Sequence, residues 1–79
     1  MKYVIQKLAI EGDDKLVGFD IEWEGHRLIA DKKVALVEGK TDEEYIAEAY
    51  ALALPEINEW TGSFENIGKE WDPDTGTFK

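Results

Sequence analysis

Seventy-nine residues without a cysteine leave room for one domain with a thin core and no disulfide to reinforce it. A formal charge of −9 disfavours direct contact with nucleic-acid phosphates or anionic lipid. No apolar run approaches the roughly 18 residues of a membrane span, nor does the Met1–Lys7 opening carry an apolar stretch of signal-peptide length, so the expected compartment is the cytoplasm. The acidity is uneven: residues 1–40 hold seven basic and eight acidic side chains, residues 41–79 two and ten.

Residues 2–10 are rich in β-branched and aromatic types and predict a first strand. Glu11 to Lys15 is a polar turn. Val17, Phe19, Ile21 and Trp23 then alternate with Gly18, Asp20, Glu22 and Glu24, the period of two of a half-buried strand. Glu24-Gly25 is a second turn signal, and His26 to Ala30 a third strand with Leu28 and Ile29 on opposite sides. Asp31-Lys32-Lys33 is expected to turn the chain, with Val34 to Val37 as a fourth strand. Links this short force an antiparallel meander.

The pattern changes at Gly39. Thr41 followed by Glu44 is a capping box: the Thr41 side chain can accept from the amide three residues on, and Glu44 can reach back. Ile46, Ala49, Ala53, Ile57 and Trp60 then recur at helical spacing. Pro55 predicts a kink, or a break that opens a second helix, and Gly62 a stop. In the last stretch Asp72-Pro73-Asp74-Thr75-Gly76 is a turn flanked by Trp71 and Phe78, predicting a hairpin or ordered flap packed onto the domain. The fold class is therefore α+β: a three- or four-stranded antiparallel meander with one main helix on one face and a C-terminal hairpin segment. Phe19, Ile21, Trp23, Ile46, Ala49, Ala53 and Ile57 are the expected core.

Few residues can carry covalent chemistry. His26 is the sole histidine and Ser63 the sole serine, so a nucleophile–base pair would need those two to meet. Asp72-x-Asp74-x-Gly76 resembles the start of a calcium loop but lacks the later ligands. Carboxylate pairs such as Glu44 and Glu48, or Glu56 and Glu59, would need a cleft to separate their pKa values. No catalytic residue, metal ligand or cofactor is expected. The acidic second half points instead to a partner-binding face made of Glu43, Glu44, Glu48, Glu56, Glu59, Glu65, Glu70, Asp72 and Asp74. The partner would be another protein, a basic one by charge, with no direct nucleic acid or membrane contact, and a homo-oligomer is compatible. The alternative is an inhibitor whose carboxylates imitate a phosphate backbone.

The ending Ile67-Gly68-Lys69-Glu70-Trp71-Asp72-Pro73-Asp74-Thr75-Gly76-Thr77-Phe78 resembles the tails of small accessory and structural proteins of tailed bacteriophages. There an aromatic precedes a D-x-x-T-G turn and a closing Phe. The resemblance implies a structural or assembly role, in an infected bacterial cytoplasm or on a virion.

Overall fold

The computed structural model describes residues Met1–Lys79. Three ten-residue strands come first: β1 Lys2–Glu11, β2 Asp14–Trp23 and β3 His26–Ala35. They pair antiparallel in the order β1-β2-β3. A two-residue link, Glu24 and Gly25, joins β2 to β3. Both residues have positive φ (48° and 79°), the geometry whose twist matches that of the flanking strands. The helix α1, Asp42–Gly62, crosses one side of this sheet. β4 (Trp71–Asp72) and β5 (Thr77–Phe78) form a separate hairpin.

The side-chain alternation decides the core. Val17, Phe19 and Ile21 point from β2 toward α1, Ala30 and Val34 join them from β3, and Tyr45, Ala49, Ala53 and Ile57 descend from the helix. These nine buried hydrophobics form one cluster. The capping box at Thr41 is complete: the Glu44 amide donates to Thr41 Oγ1 at 3.2 Å, and the Thr41 amide donates to Glu44 Oε1 at 3.4 Å.

Two expectations at the end of the meander, a turn and a fourth strand, are corrected. Asp31-Lys32-Lys33 is not a turn, and there is no fourth strand in the meander; β3 runs unbroken to Ala35. Each of the three charges has found a partner that lets the strand continue. Lys7 reaches Asp31 at 3.3 Å, Lys32 reaches Glu56 of the helix at 3.0 Å, and Lys33 reaches Glu11 at 2.9 Å. Leu36 and Val37 lie in the connection to the helix and are exposed. Of the two outcomes expected at Pro55, a kink or a break, the break does not occur; α1 continues through it to Gly62. Proline cannot donate to the carbonyl four residues back, but Ala51 and Pro55 are both exposed, so water can satisfy that group.

The expected core is also adjusted. Trp23 and Ile46 are only half-buried, while Val17, Ala30, Val34 and Tyr45 are buried. The C-terminal hairpin forms as expected but does not pack into the domain: Trp71 and Phe78 stay 55% and 49% exposed. The radius of gyration, 17.2 Å, exceeds the about 12 Å of a compact chain of this length. Ten-residue strands and a 21-residue helix each span only about 33 Å, against a longest extent of 58 Å.

Candidate functional site

The helix does not cover the whole sheet. It lies over β3 and, to a lesser degree, β2. Of the β1 side chains toward the helix only Leu8 packs against the core, and the outer edge of β1 pairs with no other strand. Tyr3 and Ile5 remain 41% and 37% exposed, and Ile10 is 64% exposed. Between β1 and α1 runs a groove of about 410 Å³ lined by Tyr3, Ile5, Phe19, Ile46, Ala47 and Tyr50, with Glu43 on its rim.

One aromatic contact bridges the groove. The rings of Tyr3 and Tyr50 meet edge to face with centroids 5.7 Å apart, an orientation their quadrupoles favour. The Tyr3 hydroxyl donates to Met1 Sδ at 2.9 Å. Desolvation, reinforced by the Tyr50 hydroxyl, pushes the Tyr3 phenol above its usual pKa. A phenol is neutral at physiological pH even at its ordinary value of about 10, and so fits an apolar surface. A free strand edge beside such a groove supplies backbone hydrogen bonds and side-chain pockets together, the combination that strand-addition binding uses.

The expected acidic face is dispersed. Around α1, Glu44, Glu48 and Glu59 fall within about 60° of arc on the outer side, with exposed Leu52 and Pro55 beside them. Glu44 belongs to the capping box, and Glu48 is bound by Lys40. Glu56 faces Lys32 on the flank over β3, and Glu43 sits apart at the groove. Glu65 lies in the turns after the helix. Glu70 approaches Lys79 at 3.9 Å, Asp72 Oδ1 accepts from the Asp74 amide at 2.9 Å, and Asp74 is exposed on the same turn. The structure thus gathers three of the nine carboxylates and spends several on local partners.

His26 stacks on Phe64 with ring centroids 3.8 Å apart, and Trp23 and Trp60 complete that aromatic cluster. Its neighbourhood includes an open depression of about 740 Å³ around the β2–β3 turn, with Lys2, Glu22, Glu24 and Arg27 among its lining residues. No group of three or more histidines and carboxylates comes together as metal ligands would, and no helix is long and apolar enough to cross a membrane. Sequence reading missed the groove because the first strand, rich in β-branched and aromatic types, carries no sign of whether Tyr3, Ile5 and Ile10 are covered. Only the placement of the helix over β3 reveals that they are uncovered.

Comparison with protein-family models, curated proteins and solved structures finds no match.

Proposed function

We propose that this protein is a non-enzymatic protein-binding module that recognises its partner through the β1 edge and the adjoining groove. The observation that supports this reading is the unpaired ten-residue edge strand flanked by an exposed apolar groove. Single exposed apolar residues are ordinary; contiguous ones beside unpaired backbone groups mark interaction sites. The resemblance of the C-terminal segment to phage accessory proteins extends the reading to an assembly or structural role, in a bacterial cytoplasm or on a virion. A basic protein is the expected partner class, since the net charge of −9 favours positive surfaces.

A photoreactive residue in place of Ala47, inside the groove, tests this in the cells that make the protein. The expected product is an adduct with a second protein. Recovery of no such adduct, while the variant folds normally, overturns the reading. The alternative, an acidic mimic of nucleic acid, is favoured by Glu44, Glu48 and Glu59 sharing the outer side of α1. A mimic would lose its target when DNA or RNA is added and when salt is raised; groove binding would survive both.

A further inference from the structure

We infer that the free edge of β1 pairs with the β1 edge of a second copy, antiparallel and in one register, making a six-stranded sheet across a two-fold axis. This rests on the proposed use of that edge for binding and names one occupant of it.

β1 carries a bulge. Opposite β2, the register of β1 shifts between Ile5 and Lys7, so Gln6 is an extra residue. Before the bulge, Tyr3 and Ile5 lie opposite Ile21 and Phe19, on the helix side; after it, Leu8 and Ile10 lie opposite Val17 and Lys15, also on the helix side. On the open side stand Lys2, Val4, Ala9 and Glu11, opposite Glu22, Asp20, Leu16 and Asp14. Directly opposed residues of an antiparallel pair must share a side. An unbulged strand can meet a copy of itself only by opposing odd positions to odd and even to even. β1 breaks that rule, because its sides exchange parity at Gln6.

Centring the two-fold between Gln6 and Lys7 opposes Tyr3 to Ile10, Ile5 to Leu8, Val4 to Ala9 and Lys2 to Glu11 of the second copy. Each of these four opposed pairs shares a side. The helix-side pairs are apolar on both members, and the open-side pairs end at each extremity in a lysine facing Glu11, whose carboxylate its own Lys33 also contacts at 2.9 Å. Both strands carry their extra residue at the axis, so the two bulges accommodate each other. Bulges and lysines usually keep an edge from pairing indiscriminately; here they admit a partner bearing the same irregularity.

Charge does not oppose this contact. β1 holds two lysines and one glutamate, and of the helix carboxylates only Glu43 borders the β1 groove, the helix lying mainly over β3. The two Lys7 ammonium groups near the axis are each drawn back toward their own Asp31, at 3.3 Å. Tyr3, Ile5, Leu8 and Ile10 of both copies would form one apolar floor between the two helices.

The chain has no cysteine, which makes a register test clean. Purified Val4→Cys protein mixed with purified Ala9→Cys protein should oxidise to a disulfide-linked dimer, because opposed Cα atoms lie within about 5.5 Å. Val4→Cys alone should not, because its two thiols would be about 17 Å apart along the strands. In sedimentation equilibrium the unmodified protein should show a concentration-dependent species of twice 9.0 kDa. Lys2→Glu and Glu11→Lys should each weaken it about tenfold, and the double exchange should restore it. A monomer at about 1 mM, or cross-linking of Val4→Cys alone as readily as the mixture, overturns self-pairing. Adducts at Ala47 with a different protein would still uphold the binding module, so the two proposals fail separately.

Discussion

The phenol of Tyr45 closes both backbone groups of Val37: its hydroxyl donates to the Val37 carbonyl at 2.7 Å and accepts from the Val37 amide at 2.9 Å. Val37 lies in the connection between β3 and α1, where no strand ladder is available to it. Tyr45, in the first turn of the helix and 3% exposed, therefore ties the connection to the helix. Tyr45→Phe keeps the packing and removes both bonds. It should destabilise the fold by about 1 kcal/mol, because the Val37 amide loses its partner while the Val37 carbonyl keeps the Lys40 amide at 3.2 Å. Chemical denaturation measures this directly, and an unchanged midpoint would show that water replaces the phenol without cost.

Gly18 explains a second constraint on the sheet. It is buried on the open side although no helix covers it, because Lys7 of β1 and Asp31 of β3 join above it at 3.3 Å. A Cβ at this position would stand 2.6 Å from Asp31 Oδ1 and 2.9 Å from Lys7 Cβ. The aspartate tip can swing aside; the Lys7 Cβ is held by its strand. Gly18→Ala should therefore destabilise by about 1–3 kcal/mol, in the range of overpacking, despite alanine's better backbone entropy. Shortening the bridge with Asp31→Ala should reduce that cost, and a thermodynamic cycle over the two substitutions checks the coupling.

Much of the fold was legible in the sequence because its signals are local. Thr41 with Glu44 marks the helix start, Glu24-Gly25 the turn, and the Val17-Phe19-Ile21 alternation the buried strand. Asp31-Lys32-Lys33 misled because a run of charge resembles a turn when its partners, Lys7, Glu56 and Glu11, are far away in the chain. Trp71 and Phe78 misled for the converse reason: hydrophobicity alone does not reveal whether anything is in reach to bury them. The groove belongs to the same class, since it depends on where a helix lands and not on any motif.

Arg27 sits diagonally across β2 and β3 from Asp20 and engages both its carboxylate oxygens. The guanidinium hydrogen bond, aided by its charge, holds the Asp20 carboxyl below the ordinary Asp range against an opposing desolvation. A depressed folded pKa means stability that is present above the unfolded value of about 3.9. It is lost as pH falls through the lower, folded value. In an NMR titration the Asp20 carboxyl should therefore protonate later on acidification than a free aspartate, and Arg27→Gln should move it back toward the ordinary value. An Asp20 titration unmoved by that substitution would mean the pair is not maintained in solution.

Deletion of residues 68–79 tests whether the C-terminal hairpin supports the domain. The hairpin is internally well specified: Asp72 caps the Asp74 amide, the Gly76 amide donates to the Asp72 carbonyl at 2.8 Å, and Trp71 lies opposite Phe78. An isolated two-stranded hairpin is marginal in water, however, and this one pairs with no strand of the main sheet. None of the nine core residues lies beyond Ile57, and the last aromatic in the His26 cluster is Phe64, which the deletion retains. The truncated chain should keep its thermal midpoint within about 2 °C, corresponding to less than about 0.5 kcal/mol for a domain of this size. The amides of residues 70–78 should exchange far faster than those of β2 in the intact protein. A large drop in midpoint on truncation, with slow exchange in the hairpin, would instead place Trp71 and Phe78 against the domain in solution and restore the packed tail that their size suggests.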